Sequence, residues 1–371
     1  MYLRKLQLKN FRNYEYLDID FNKKVNILIG NNAQGKTNLV EGIYMMGLGK
    51  SFRTVKDREI IKFNEDESYI NGIFKKEDMD LEIKISIQNK KNQILRSIKI
   101  DDTEYKKTSS LLENVYVVVF SPEDLRMIKD APELRRKFID KELCQIRPVY
   151  YKNLSLYKKV VFYRNKYLKE NNKIDLDYLY SLNHTLALYG SYIILERESF
   201  IKKLNGYVKK IHNDITDGAE KIYIEYESNI KILNDKKSQY DEIIKVLEEN
   251  QERDIRRKIT NKGPHKDDLI VKINGIDVRN YGSQGQQRTA ALSLKLAETH
   301  IIKDEVSENP ILILDDVLSE LDKKRQQFLI NSITENQVFI TSADIGNDVI
   351  DSIKEKSIYK IEQGKILKIN C

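Results

Sequence analysis

Residues Gly30-Asn31-Asn32-Ala33-Gln34-Gly35-Lys36-Thr37 form a glycine-rich loop that ends in a lysine and a hydroxyl. Such a loop turns successive backbone N–H groups onto phosphate oxygens. Gly35 lets the backbone come close, Lys36 brings a mobile cation, and Thr37 offers a hydroxyl suited to Mg2+. The loop follows the apolar run Val25–Ile29 and opens a helical pattern with Leu39, Ile43 and Met46 on one face. The positive end of that helix therefore points at the phosphates. Far along the chain, Ile311-Leu-Ile-Leu-Asp315-Asp316 is an apolar strand that ends in two carboxylates. Asp315 is expected to hold Mg2+ through water and Asp316 to polarise an attacking water, with a helix N-cap as the structural alternative for Asp316. The chemistry implied is phosphoryl transfer from ATP with Mg2+.

Between these halves, Ser283-Gln284-Gly285-Gln286 resembles the signature loop of ABC-type ATPases. The resemblance makes Ser283 and Gly285 donors to a γ-phosphate, with Gln286 beside them at a helix start. Alone, the tetrapeptide would suit a helix cap; the two Walker halves favour the signature reading. In heads of this type the signature loop sits away from its own P-loop, so it is expected to serve a second copy. The catalytic candidates are Lys36, Asp316 and Ser283. The nucleotide-binding candidates are the loop Gly30–Thr37 with Asn38, Arg12, Ser283, Gly285 and Gln286, and the metal candidates are Thr37 and Asp315.

The elements that must position these residues come from both ends of the chain. Lys5, Gln7 and Lys9 alternate with Leu6 and Leu8, the period of a half-buried strand. Short strands fit 69–74, 81–87 and 94–100, a small antiparallel β-lobe, and Val115–Phe120 is a continuous apolar run suited to a buried strand. After Pro122 the periodicity is mostly helical to about residue 253. Leu154, Tyr157, Val161 and Leu168 define one helix, with Arg164 a polar intruder. Leu179, Leu182, Leu186, Tyr189, Ile193 and Phe200 define a second, with Glu196 the exception. A turn at Asn171-Asn172-Lys173 makes them a short helical hairpin, either an ordinary subdomain or a protruding stub. The helix after Gln286 stripes Ala290, Leu294, Ala297 and Ile301, and Ile311–Leu314 and Val338–Thr341 are core strands. The expectation is an α/β ATPase core with an inserted helical subdomain: 1–120, 121–253 and 254–371.

With 371 residues, 40% hydrophobic and 33% charged, the chain has a soluble profile and no internal repeat. Its balance of 64 basic against 57 acidic residues gives a net charge of +7, a weak pointer to a polyanion. Cys144 and Cys371 have no metal spacing and the four histidines form no ligand pair, which suggests a reducing, cytoplasmic setting. No apolar run approaches the roughly 20 residues of a membrane span.

Eight segments resemble the RecF family of bacterial recombination-repair ATPases, related to SMC-type heads. They are Asn10-Phe-Arg-Asn-Tyr14, Gly30–Asn38, Ser51-Phe-Arg53, and Phe120-Ser-Pro-Glu-Asp-Leu125 with Arg135-Arg136-Lys-Phe-Ile-Asp140. Gly263-Pro-His-Lys-Asp267, Ser283-Gln-Gly-Gln-Gln-Arg288 and Leu314-Asp-Asp-Val-Leu-Ser-Glu-Leu-Asp322 complete the set. The resemblance implies an ABC-type head that forms an ATP-dependent homodimer with two composite sites, slow DNA-stimulated ATP hydrolysis and sequence-independent DNA binding, single-stranded and linear double-stranded. It also implies action with RecO and RecR, and indirectly with RecA, at single-strand gaps, in replication and in the SOS response. Ser319 and Asp322 resemble a D-loop at the dimer interface. Three departures stand out: Gln284 replaces a signature glycine, Asp130-Ala131-Pro132 replaces a Gly-Ser-Pro, and Thr341-Ser342 stands where many ABC heads place a switch histidine.

Tyr151–Glu170 interleaves six Lys or Arg residues with Tyr151, Tyr157, Tyr163 and Tyr167, which suits either phosphate neutralisation or a solvated helix face. Lys56, Arg58, Lys75, Lys76, Arg135, Arg136 and Lys137 are further DNA candidates, the last three equally suited to structural ion pairs. Arg12 is expected near the nucleotide, with a salt bridge as the alternative, and His265 is read as a loop-shaping histidine. A transporter ATPase subunit would account for the nucleotide motifs but not for the helical insert. An adaptor that binds ATP without turnover would account for both.

Overall fold

The computed structural model describes residues 1–54, 56–77, 79–90, 93–171, 173–343 and 353–369, so Asn172 and Cys371 lie outside the described residues. In chain order, β1 (Tyr2–Phe11), β2 (Tyr14–Asp20) and β3 (Val25–Ile29) lead into α1 (Lys36–Leu48). β4 (Glu67–Lys76), β5 (Met79–Lys90), β6 (Gln93–Ile100) and β7 (Thr103–Tyr105) are followed by β8 (Val117–Phe120) and α2 (Pro122–Arg126). Helices α3 (Pro132–Ile146), α4 (Pro148–Glu170) and α5 (Leu176–Ile215) come next, then β9 (Ile222–Glu227), α6 (Lys236–Glu249) and α7 (Gln251–Arg257). β10 (Asp268–Ile273), β11 (Ile276–Asp277), α8 (Val278–Tyr281) and α9 (Gln284–Val306) precede β12 (Ile311–Asp315), α10 (Lys323–Ser332), β13 (Val338–Ser342), β14 (Lys356–Glu362) and β15 (Lys365–Ile369).

These elements form two compact units, Met1–Leu125 with Glu298–Cys371, and Arg126–Ala297. The expected division at 253 and 254 therefore needs correcting. Residues 254–297, including Ser283, fold with the inserted unit because β10 pairs antiparallel with β9 from Asp268↔Glu227 to Ile273↔Ile222. β9 itself falls in a stretch read as helical. Its alternation of Ile222, Ile224 and Tyr226 lasts only six residues, too short to register against long helical neighbours.

In the first unit, one sheet runs β2-β1-β4-β5-β6-β7 and is antiparallel throughout. The other runs β15-β14-β3-β13-β12-β8, parallel except at β15. The strands β8 and β12 are buried at every position, which explains their unbroken apolar sequences. Helix α1 is buried at every residue but Thr37 and Asn38, its charged Lys36 and Glu41 included. It lies close against β4: a Cβ on Gly72 would stand 2.2 Å from the Met46 sulfur. Leu8, Phe11, Ile43 and Phe74 are wholly enclosed in this core, each burial contributing roughly 1.5–3 kcal/mol.

In the second unit, α4 and α5 form the expected hairpin, but α5 is 40 residues long. Its buried positions run from Leu179 to Ile215, so it is an integral core helix rather than a protruding stub. Three enclosed guanidinium groups organise this unit, those of Arg135, Arg164 and Arg197. Arg197 donates to Asp140 at 2.7 Å and to the Pro264 carbonyl at 2.6 Å, while the Tyr150 hydroxyl donates to the same carboxylate at 2.6 Å. Burial pushes the Asp140 carboxyl upward, but Arg197, Lys158 and Tyr150 more than offset it and hold the group below the usual range. Arg164, the intruder in the apolar stripe, donates to Asp254 at 2.8 Å, to Thr260 at 2.9 Å and to Asn183 at 2.9 Å. Glu196, the other exception, pairs with Arg147.

Removing one member of such a pair leaves an uncompensated charge in the core. Asp254→Ala is expected to cost about 3–5 kcal/mol of stability, measured by urea unfolding. A loss below about 1 kcal/mol would mean that Arg164 does not depend on Asp254.

Candidate nucleotide site

Parallel pairing brings the carboxyl ends of β3, β13, β12 and β8 to one edge, the place where open α/β sheets bind ligands. The register sets Asp315 opposite Thr341, Leu314 opposite Phe120, and Ser342 opposite Ile29. From this edge Gly30 leaves β3 and begins the loop. The Thr37 hydroxyl donates to Asp315 Oδ1 at 2.9 Å and the Thr341 hydroxyl donates to the same oxygen at 2.8 Å. Burial raises the Asp315 carboxyl, partly countered by those two hydroxyls, so this is a carboxylate that gains from a nearby cation. Asp316 follows with φ 55° and an exposed side chain, its backbone N–H donating to Thr341 Oγ1 at 2.9 Å. The N-cap alternative for Asp316 does not hold: Asp322 caps α10, accepting from the Arg325 N–H.

The loop is braced from three directions. Gly35 has φ 118°, and a Cβ there would meet Asn13 Nδ2 at 2.7 Å. Asn13 donates to the Gln34 carbonyl at 2.9 Å, and Tyr14 donates to the Gly35 carbonyl at 3.0 Å. A Cβ on Gly30 would stand 2.3 Å from the Ile361 carbonyl oxygen, and the turn after β14 donates Gln363 N–H to Gln34 Oε1 at 2.6 Å. Asn38 donates to Asn13 at 2.8 Å and so belongs to the bracing. Asn31, Asn32 and Ala33 are exposed along the loop, Ala33 with φ 64°. The Lys36 ammonium donates to the carbonyls of Gly30 and Asn31. Burial lowers its pKa, against the pull of Asp316 and Asp315. A cleft of about 790 Å³ opens beside the loop between Asn31, Gln34, Lys360 and Lys365.

Arg12 takes the salt-bridge alternative. Its guanidinium forks onto the buried Glu41 at 2.9 and 2.6 Å and donates to the Glu59 carbonyl at 2.6 Å. Ser51 also donates to Glu41, and Arg53 donates to Asn38 Oδ1 at 2.6 Å. The spacing of single residues gave no signal for Glu41, Asn13 or the Gln363 turn, because each acts through a contact distant in sequence.

Ser283, Gly285 and Gln286 lie in the other compact unit. The Ser283 N–H donates to Gln286 Oε1 at 3.0 Å and the Gln286 N–H donates to Ser283 Oγ at 3.2 Å, a reciprocal capping box at the start of α9. Ser283 and Gln284 are exposed, as are Ser319 and Asp322 of the first unit.

Among the basic candidates, Arg135 is structural, forking onto Asp268 at 2.7 and 2.8 Å. Arg136 donates to the Asp267 carbonyl at 2.6 Å, while Lys137 is exposed and paired with Glu133. Lys75 pairs with Asp80 and Lys76 with Glu308, while Lys56 and Arg58 are exposed. On α4, Tyr157 is buried against His265, whereas Tyr163 and the overlooked Phe162 are exposed beside Lys159 and Lys166. His265 accepts from the Tyr157 hydroxyl at 2.7 Å and donates to the Thr260 carbonyl at 3.0 Å. Burial pushes its pKa down to about 4, so it shapes the loop as a neutral ring. No described helix is long and apolar enough to cross a membrane.

Residues 2–365 match the RecF/RecN/SMC N-terminal domain family. The chain is 46% identical over 371 residues to the DNA replication and repair protein RecF of Clostridioides difficile (strain 630), covering 100% of this chain and 99% of that protein. The protein of the same name from Clostridium kluyveri is 46% identical over 372 residues, with 100% of both covered. A solved structure of the recombination mediator protein RecF-ATPrS in the RecFOR pathway superposes with a TM-score of 0.91 at 34% identity, covering 100% of this chain and 98% of the other. The RecF-ATP structure gives 0.89 and 35%, with the same coverage. An SmcHead bound to the C-winged helix domain of ScpA shares the fold at a TM-score of 0.57 and 15% identity, covering 100% of this chain and 98% of the other. Full-length likeness of this degree, on a chain that assembles a P-loop and a Walker B carboxylate at one sheet edge, settles its kinship: it belongs to the RecF family.

Proposed function

We propose that this chain is a DNA-binding ATPase of recombinational repair, whose ATP state controls dimerisation on DNA. The carrying observation is the triad of Thr37, Asp315 and Thr341, which joins the P-loop to the Walker B strand at 2.8–2.9 Å. Relatives named for DNA replication and repair, and solved RecF structures with ATP in the RecFOR pathway, support the reading. RecO and RecR are the expected partners, with RecA served indirectly at single-strand gaps in replication and SOS repair. The setting is cytoplasmic.

In this reading the N–H groups of Gly30–Thr37 receive the phosphates and Lys36 exchanges its two carbonyl partners for phosphate oxygens. Thr37 and Asp315 supply hard oxygen ligands, a donor set that fits Mg2+, which would neutralise phosphate charge when bound. Asp316 polarises the attacking water, its main chain fixed by Thr341. Ser283, Gly285 and Gln286 complete the site of a second copy. DNA contacts are sequence-independent and come from exposed basic residues such as Lys159 and Lys166.

Lys36→Met is expected to weaken ATP binding at least roughly tenfold, measured by isothermal titration. Asp316→Asn should retain ATP, lose roughly 10²–10⁴-fold in turnover, and accumulate as an ATP-bound dimer in light scattering. A monomeric Asp316→Asn protein in saturating ATP would overturn the composite site. Turnover per molecule should rise with protein concentration and again with duplex DNA. A flat, DNA-insensitive rate would favour the adaptor reading.

A further inference from the structure

The signature loop is tied into a closed circuit of hydrogen bonds that reaches the far end of α5. Gln286 spends both ends of its side-chain amide. Oε1 accepts from the Ser283 N–H at 3.0 Å, and Nε2 donates to Glu220 Oε1 at 2.9 Å. Glu220 sits in the turn between α5 and β9, and its other oxygen faces Nε2 of the enclosed His212 at 3.2 Å. The opposite ring nitrogen, Nδ1, stands 3.1 Å from Ser293 Oγ on α9. Ser293 donates to the Thr289 carbonyl at 2.8 Å, and Thr289 donates its own hydroxyl to the Gly285 carbonyl at 2.8 Å. The path that leaves the loop at Gln286 thus returns to it at Gly285.

A carboxylate only accepts hydrogen bonds, so Glu220 dictates which end of the Gln286 amide it meets. The amide oxygen must then face Ser283. Ser283 Oγ in turn accepts from the Gln286 N–H at 3.2 Å. That uses a lone pair and leaves the hydroxyl proton to be donated outward from an exposed position. A donor held this way needs no reorganisation when a phosphate oxygen arrives.

We propose that Glu220, seated on His212, is a positioning residue for the signature loop. Through Gln286 it presents Ser283 and Gly285 to the γ-phosphate held by a second copy. The inference rests on the reading that Ser283 acts on a partner's nucleotide, and the test separates the two ideas.

The test compares Glu220→Ala, Glu220→Gln and Ser283→Ala, each alone and premixed with Asp316→Asn before ATP is added. Glu220→Ala should bind ATP as the wild type does at low protein concentration and melt at the wild-type temperature, yet lose roughly ten- to hundredfold in kcat. Glu220→Gln keeps an acceptor for Gln286 and should retain most of the turnover. Mixed with Asp316→Asn, Glu220→Ala should regain turnover above the sum of the two separate proteins, because one site of each mixed dimer is intact. Wild-type kcat in Glu220→Ala, weakened ATP binding in that variant, or equal losses in Ala and Gln variants would each overturn the proposal. So would rescue of Ser283→Ala but not of Glu220→Ala by Asp316→Asn. If neither is rescued, the two-copy site fails and this proposal fails with it.

Discussion

A single carboxylate oxygen, Asp315 Oδ1, is where the two ends of the chain meet. It accepts from Thr37, which opens α1, and from Thr341, which lies in β13. Thr341 stands opposite Asp315 because β13 pairs with β12, and β3, paired to β13, delivers the loop that carries Thr37. The interleaved strand order therefore positions the site. It also lets the second unit leave the chain after α2 and rejoin it within α9 without breaking the parallel sheet. Burial of Asp315 disfavours its charge, and the two hydroxyls offset only part of that cost. A nearby cation would relieve that cost.

The second unit is organised around buried charge. Its interior contains guanidinium groups whose partners come from distant segments, such as Arg135 with Asp268 and Arg197 with Asp140 and Pro264. Buried ion pairs of this kind add little net stability, because desolvation consumes most of the attraction. They do fix geometry, since any shift leaves a charge without its partner. Asp267 shows the same logic. Burial raises its pKa, while Arg197, the Tyr226 hydroxyl and the Asn229 N–H pull it back. Asn229 in turn bonds the Gly263 carbonyl at 2.9 Å, so one carboxylate aligns β9, the Gly263 turn and β10.

Much of this architecture was legible in the sequence where a local pattern carried it. The P-loop and the Walker B strand each announce themselves within a dozen or so residues, and the α4–α5 hairpin through a three-four periodicity from Leu154 to Phe200. What could not be read locally depends on pairing across long separations. β9 is a short alternation in a helical neighbourhood, and only its register with β10 moves residues 254–297 into the second unit. Arg164 and Glu196 broke their apolar stripes because each has a charged partner elsewhere, Asp254 and Arg147, and not because the helices are misjudged. Arg12 likewise has a partner that no local pattern announces, the wholly buried Glu41 on α1, which it meets with two hydrogen bonds.

The capping box at Ser283–Gln286 is compatible with the proposed signature role of the same residues. A helix start leaves N–H groups without acceptors, and the Ser283–Gln286 box satisfies two of them. The bond from the Gln286 N–H to Ser283 Oγ holds the serine side chain, so what caps the helix start also orients the hydroxyl. The helix dipole then adds positive potential at the point where that hydroxyl is presented. Gln284, in the place of a glycine, is exposed and takes no part in the box. The departure from the usual signature at this position therefore leaves the Ser283–Gln286 box in place.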